Sequence, residues 1–235
     1  MKLSNSTNLS IIIPTLNEAS QIGNLLAYLK ANSSPGNIKE IIVVDGGSTD
    51  GTPRLAKTLG AKTITSERGR AKQMNKGAEL ATGHVLYFLH ADTYPPKNFD
   101  LYILKAIHRN MSSGCFRMKF DTSKNFLRFF AWFSRINSRL CRGGDQSLFI
   151  SKTLFHRSGG FNEEYIIYED TEFISRLYKI SKFQVLPQHV VTSARKYEQI
   201  GTLKLQYHFG IIHLKNLLGV GPEQLYRYYK KNITS

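Results

Sequence analysis

The sequence predicts an α/β fold, a mostly parallel sheet flanked by helices, on three observations. Short, nearly all-apolar runs recur through the first 90 residues, as in strands buried on both faces. Segments with apolar residues at helical spacing separate them. The junctions carry Asn, Asp, Gly and Pro, which stop strands and open helices. A repeated strand–helix–strand order implies crossovers and parallel neighbours.

The elements follow in order. Residues 9–14 form an apolar strand closed by Pro14. Asn17 and Glu18 open a helix to about residue 30, with Ile22, Leu25, Leu26 and Leu29 on one face. Pro35 and Gly36 break the chain before a second strand at 38–45. Helix 51–59 has Pro53 in its first turn, and 61–65 is a short third strand. Helix 68–81 is stopped by Gly83, and strand 84–89 runs into His90-Ala91-Asp92. The second half is less regular: strands at 114–120 and 146–151, an aromatic and basic helix at 126–140, and a helix at 170–180. In the tail, Leu203, Tyr207, Ile211, Leu214 and Leu218 recur at helical spacing over 200–218. The apolar faces of helix 126–140 and of the tail are expected to pack into the core, with membrane contact or cover over an acceptor site as the alternative. No repeat or linker divides the chain. It reads as one domain in three parts: 1–92, 93–198 and a helical tail, 199–235.

Composition narrows the function. The chain has 235 residues, 41% hydrophobic and 21% charged, enough for a substantial core. A net charge of +15 favours polyanions such as nucleic acid, anionic membrane or phosphorylated ligands. No nucleic-acid-binding motif accompanies the basic residues, so nucleic acid ranks below phosphate and membrane. Cys115 and Cys141 lack metal or redox spacing and are expected to be reduced thiols. Residues 1–10 are polar and Ile11–Ile13 is too short for a leader's apolar core, so a cytoplasmic protein is expected, with peripheral contact at the inner membrane surface left open.

Ligands of such folds bind beyond the carboxyl ends of the strands. Three strand ends carry polar or acidic groups there. Asp45, followed by Gly-Gly-Ser-Thr-Asp-Gly-Thr, can accept from ribose hydroxyls or a base N–H, or it can be an Asp-Gly turn acid. Glu18 can serve the same pocket or its own helix N-terminus. Asp92 can hold Mg²⁺ or Mn²⁺ against a departing diphosphate, or act as a turn acid before Pro95-Pro96. His90 is a second metal candidate that would favour Mn²⁺, or a structural histidine. Arg68, Arg70 and Lys72 at a helix start suggest a nearby phosphate, against the alternative of a solvated basic face. Glu169-Asp170 begins a helix after Tyr165-Ile-Ile-Tyr168. A desolvated carboxylate there can have its pKa raised toward a useful general base, and paired acids push each other's values apart. The alternative is acidic helix capping.

Taken together these residues resemble family 2 glycosyltransferases. The resemblance runs through Ser10-Ile-Ile-Ile-Pro-Thr-Leu-Asn-Glu18, Ile42-Val-Val-Asp-Gly-Gly-Ser-Thr-Asp-Gly-Thr52 and Arg68-Gly-Arg-Ala-Lys-Gln-Met-Asn-Lys-Gly77. It continues at Leu86 to Asp92, Gly143-Gly-Asp-Gln146, and Gly160-Phe161 to Glu169-Asp170. Leu89-His-Ala-Asp-Thr93 and Thr192-Ser-Ala-Arg195 resemble a short bacterial subgroup associated with radical-SAM proteins and arsenosugar synthesis. The resemblance implies a GT-A fold, a UDP- or GDP-sugar donor, a divalent metal (Mg or Mn), and inverting transfer to an acceptor hydroxyl; the membrane-contact alternative for helix 126–140 and the tail leaves a lipid-linked acceptor open. It implies Pro14, Leu16, Glu18, Asp45, Arg68, Lys72, Ala91 and Arg195 for the nucleotide side, and Asp92 with His90 for the metal. Asp170, or less favoured Glu169, is implied as base, with Asp145 and Gln146 on the acceptor side. Two departures matter: His90 stands where the family has the first acid of its DxD motif, and Arg195-Lys196-Tyr197 stands where processive members carry Gln-x-x-Arg-Trp. The second favours transfer of a single sugar. Alternatives are a nucleotidyltransferase, which lacks its basic glycine-rich loop at 15–21, and a degenerate nucleotide-sugar-binding or membrane-associated scaffold.

Overall fold

The computed structural model describes residues 7–234; the first six residues of the polar 1–10 stretch lie outside the described residues. The first seven elements match the predicted order to within two residues: β1 (Leu9–Thr15), α1 (Ala19–Ala31), β2 (Ile38–Asp45), α2 (Thr52–Thr58), β3 (Lys62–Thr65), α3 (Arg70–Leu80) and β4 (Val85–Phe88). There follow β5 (Thr93–Tyr94), α4 (Phe99–His108), β6 (Ser113–Phe120), α5 (Asn125–Trp132), β7 (Leu148–Ser151) and α6 (Lys152–Arg157). The chain ends in α7 (Glu169–Ile180), β8 (Phe183–Thr192), α8 (Arg195–Ile200), α9 (Thr202–Leu217) and α10 (Pro222–Asn232).

One eight-stranded sheet runs β3-β2-β1-β4-β7-β6-β8-β5. The four strands from the first half are parallel, as expected. In the rest, β6 pairs with β8 in parallel over its whole length, which keeps the sheet mostly parallel, while β7 is antiparallel to β4 and to β6, and β5 to β8. The alternation of β1 explains the helices on both faces. Ile11 and Ile13 pack with α1 and α4, whereas Ile12 packs with α3, α6 and α7. Gly77 lets α3 lie close on the sheet, since a Cβ there would stand 2.5 Å from the Ile12 Cγ2. A third cluster joins Phe120, Leu127 and Ala131 to α8, α9 and α10.

The 126–140 helix is shorter than predicted. α5 gives way to a 3₁₀ turn at Phe133–Arg135, an extended Ile136 and a second 3₁₀ turn at Arg139–Cys141. The cause is Arg142, whose buried guanidinium bonds the carbonyls of Ser134 (2.9 Å) and Ile136 and so takes the acceptors a continuing helix would need. The predicted strand 146–151 begins late for a related reason. Gly144–Gln146 is a 3₁₀ turn and Ser147 is left-handed (φ 61°), so pairing starts at Leu148.

The tail forms the predicted helix but turns the other way. Leu203, Tyr207, Leu214 and Leu218 are exposed, and Leu205 and Ile212 are the buried residues. On α5 the core takes Leu127 and Ala131, leaving Phe129 and Trp132 in solvent. Both cysteines are free thiols. Among the described residues, no helix is long and apolar enough to cross a membrane.

Candidate active site

The parallel strands deliver their acids to one crevice. Thr15 and Asp45 are register partners at the ends of β1 and β2. Asp45 is buried, and its carboxylate accepts from the backbone N–H groups of Gly47 (3.0 Å) and Ser48 (2.8 Å) and the Ser48 hydroxyl (2.5 Å). Gln73, reaching from α3, donates to the Thr15 and Val44 carbonyls, each at 2.8 Å, and ties the two strand ends together. Left-handed Asn17 (φ 56°), a residue that tolerates that conformation, turns the chain sharply after β1. Its N–H donates to Ser48 Oγ and its side chain accepts from the Thr49 N–H, each at 2.8 Å. The N–H groups of Glu18 and Ala19 donate to Thr52 Oγ1 and Asp50, each at 2.9 Å. Pro14 is buried in β1, and Leu16 and Glu18 are half-buried at the rim.

Glu18 meets Arg195 at 3.5 Å, across 177 residues of sequence. Burial raises the Glu18 pKa, Arg195 pulls it back, and the charge of Asp92 raises it again. Asp92 lies in the turn between β4 and β5, just past buried Ala91. Its hydrogen bond among the described residues is a long one from Thr93 Oγ1 (3.5 Å), and it has no ion-pair partner there.

His90 faces the other way. Its Nε2 stands 3.6 Å from Asp170 Oδ2 and its Nδ1 3.9 Å from Asp145 Oδ1. Burial opposes the charged imidazole, but the bond and charge of Asp170 outweigh it and the His90 pKa is raised. Asp145 sits in a recess whose walls desolvate its carboxylate; that effect, with repulsion from Asp92, raises its pKa against the pull of His90. Gln146 is buried and committed: it accepts from Arg142 at 2.5 Å and donates to the Cys141 carbonyl at 2.7 Å.

Glu169 and Asp170 open α7, where the helix dipole favours acids. The pair is driven apart. Burial raises the pKa of Glu169, which is 1% exposed and has no hydrogen-bond partner on either carboxylate oxygen. Its compensation is the ion pair with Arg70 Nε at 3.0 Å. Asp170 goes the other way, because His90 and Arg70 outweigh the cost of its burial and lower its pKa. The expected raised base is therefore not Asp170. Tyr168, immediately before the pair, is left-handed (φ 71°), and its hydroxyl is hydrogen-bonded to His213 Nδ1 on α9. Such backbone strain costs about 1–2 kcal/mol.

Arg70, Asp145, Glu169 and Asp170 line one end of a cavity of about 510 Å³, whose other walls include Phe120, Phe130, Phe133 and Phe209. Lys72 does not line this cavity. Lys72 pairs with Glu67 and lines a separate cavity of about 810 Å³ with Asn75 and His156, and Arg68 is exposed.

Arg70, read from the sequence as a phosphate-side cation, pairs instead with buried Glu169, and Gln73 on the same helix face at i, i+3 is buried. Arg142, Tyr168 and His213 had no local signal.

Among the described residues, no three His, Cys, Asp or Glu side chains converge to hold a metal. The residues nonetheless fit a hard divalent cation bound by few protein ligands. Asp92 supplies an unpaired oxygen ligand, and it repels the carboxylates of Glu18 and Asp145.

The architecture is that of the GT-A fold. Three solved structures share the architecture: TarS of S. aureus (TM-score 0.67, 22% identity, 84% of this chain and 38% of that one), the mannosyltransferase PcManGT of Pyrobaculum calidifontis in complex with GDP-Man and Mn²⁺ (0.69, 20%, 96% and 70%), and glucosyl-3-phosphoglycerate synthase of Mycobacterium tuberculosis in complex with Mg²⁺ and UDP (0.64, 14%, 92% and 81%). Residues 10–165 match the sequence model of glycosyl transferase family 2, and the chain belongs to that family. Among its relatives, the PGL/p-HBAD biosynthesis glycosyltransferase of Mycobacterium bovis is 30% identical over 83% of this chain and 78% of its own length. The succinoglycan biosynthesis protein ExoA of Rhizobium meliloti is 28% identical over 74% of this chain, which spans 59% of that protein.

Proposed function

We propose that the protein transfers one sugar from a UDP- or GDP-sugar to an acceptor hydroxyl, with inversion at the anomeric carbon. The observation that carries this reading is the gathering of acids at the strand ends: Asp45 at the end of β2, Glu18 paired with Arg195, and Asp145 and Asp170 on either side of His90 at the wall of the aromatic cavity. The nucleoside lies against Pro14, Leu16 and Asp45, whose loops are already held by hydrogen bonds. A divalent cation on Asp92, when bound, neutralises charge on the departing diphosphate. Arg195 stands at the same end of the crevice to meet phosphate oxygens.

At the other end Asp170 accepts the proton of the acceptor hydroxyl. The acceptor oxygen then bonds the anomeric carbon as the bond to the diphosphate oxygen breaks. Asp170 suits the role by geometry, since it faces the cavity and His90 orients it. Its lowered pKa keeps it ionised and ready to accept at neutral pH. Glu169 is sealed behind it and serves to fix Arg70. The aromatic walls favour an acceptor with an apolar portion, in keeping with a lipid-linked one, and a protein working in the cytoplasm beside the inner membrane.

The test is calorimetric titration of UDP and GDP, each with and without Mn²⁺, into wild type and Asp92→Ala. The expected outcome is that one nucleotide binds, at least tenfold more tightly with Mn²⁺, and that Asp92→Ala removes the metal dependence. No binding of either nucleotide in any condition would overturn the donor-site reading.

A further inference from the structure

We infer that α5, the turns after it and α9 form a docking surface for an anionic lipid bilayer, placed at the mouth of the aromatic cavity. It rests on the transferase reading for its purpose, since it would bring a membrane-held acceptor to Asp170. Its physical basis is independent of that reading.

The first observation is exposure. Phe129 (59%), Trp132 (51%) and Leu140 (54%) on one side, and Leu203 (69%), Tyr207 (65%) and Leu218 (74%) on the other, stand in solvent. Large apolar side chains gathered in this way mark an interaction surface. Both segments border one cavity: Phe130, Phe133 and Leu140 line it from the α5 side, and Phe209, Gly210 and His213 from α9. Leu127 and Ala131 of α5 share one buried cluster with Leu205 and Ile212 of α9, so the two segments meet.

Charge selects the occupant. No acidic residue occurs between Asp121 and Asp145, nor between Glu198 and Glu223. The same stretches carry exposed Arg128, Arg135, Arg139 and Lys204. Aromatic and aliphatic side chains interleaved with cations and free of acids match the boundary of an anionic bilayer, where rings insert and cations meet headgroup phosphates. A second copy of the chain would set these cations against their own like, so self-association is disfavoured.

Trp132 is the chain's one tryptophan, which makes it a built-in reporter. The experiment titrates the intact protein with vesicles of neutral phosphatidylcholine, and with vesicles containing a third phosphatidylglycerol. Trp132 emission and co-sedimentation are followed in parallel. The inference expects binding to the anionic vesicles, a shift of emission to shorter wavelength, and release by salt. Arg128→Gln/Arg135→Gln should weaken binding about 25-fold, at roughly fivefold per cation. Phe129→Ser/Leu218→Ser should abolish the emission shift. All variants should retain the wild-type nucleotide titration. That control separates this inference from the donor-site reading, because a failed titration in wild type sinks the latter while leaving vesicle binding intact. The inference is overturned if the folded protein does not bind anionic vesicles, or if it binds with Trp132 emission unmoved. It is equally overturned if sedimentation shows a dimer that Phe129→Ser/Leu218→Ser converts to monomer.

Discussion

Replacing Arg70 by leucine removes the cation that compensates a carboxylate sealed from water. At the 3.0 Å separation of Arg70 and Glu169, an effective dielectric constant of ~20 gives an attraction of about 5 kcal/mol. The Arg70 side chain is 45% exposed, and screening reduces this by roughly half, to about 2–3 kcal/mol. Burial already raises the Glu169 pKa. A raised carboxyl stabilises the fold most below its unfolded value, about 4.3, and loses that contribution as pH rises through the folded-state pKa. Arg70→Leu pushes Glu169 higher still, so the deficit is full at pH 8 and shrinks toward pH 5 as Glu169 takes up its proton. Urea denaturation at the two pH values measures it, and a thermal melt at pH 8 should show Tm lower by roughly 5–10 °C for a chain of this size. Arg70→Leu/Glu169→Gln should recover stability to within about 1 kcal/mol of wild type, since no buried charge is left unpaired. An Arg70→Leu protein as stable as wild type at pH 8 would refute the reasoning. So would a loss that is equal at pH 5 and untouched by Glu169→Gln.

Asp170→Asn should lower turnover by roughly 10²–10⁴-fold while leaving nucleotide affinity unchanged, as expected of a general base; single-turnover assays alongside calorimetry separate the two. Glu169→Gln should retain most of the turnover, and a rate as low as that of Asp170→Asn would exchange their roles. Gly77→Ala sets a Cβ 2.5 Å from Ile12 Cγ2 and 3.0 Å from Val44 Cγ2, and should cost about 1–3 kcal/mol of stability by overpacking. His213→Phe removes the partner of the Tyr168 hydroxyl. It should lower stability by about 1 kcal/mol and raise the acceptor KM more than the donor KM, measured by steady-state kinetics.

Much of the donor side was legible because its signals are local. The buried half of a parallel strand must be apolar, so Asp45 stands out directly after Ile42, Val43 and Val44. The acceptor side is assembled from distant pieces, and its cues are not periodic. Arg142 ends the helical stretch by capturing carbonyls six and eight residues back, which no propensity registers. The helical period at Leu203, Tyr207 and Leu214 was sound, but period gives a face and not its direction; Leu205 and Ile212 took the core instead. The charges of Glu169 and Asp170 were recognised together, and their opposite shifts depend on Arg70 and His90, which arrive from other elements.

The contact between Arg195 and Glu18 has a consequence for how the molecule comes into being. Their separation of 177 residues means that this contact needs the last strand in place in the sheet, whereas the parallel strands of the first half need only local crossovers and can assemble while Glu18 still lacks its cation. A chain that stopped before residue 195 would keep the crevice and lose the cation that meets Glu18.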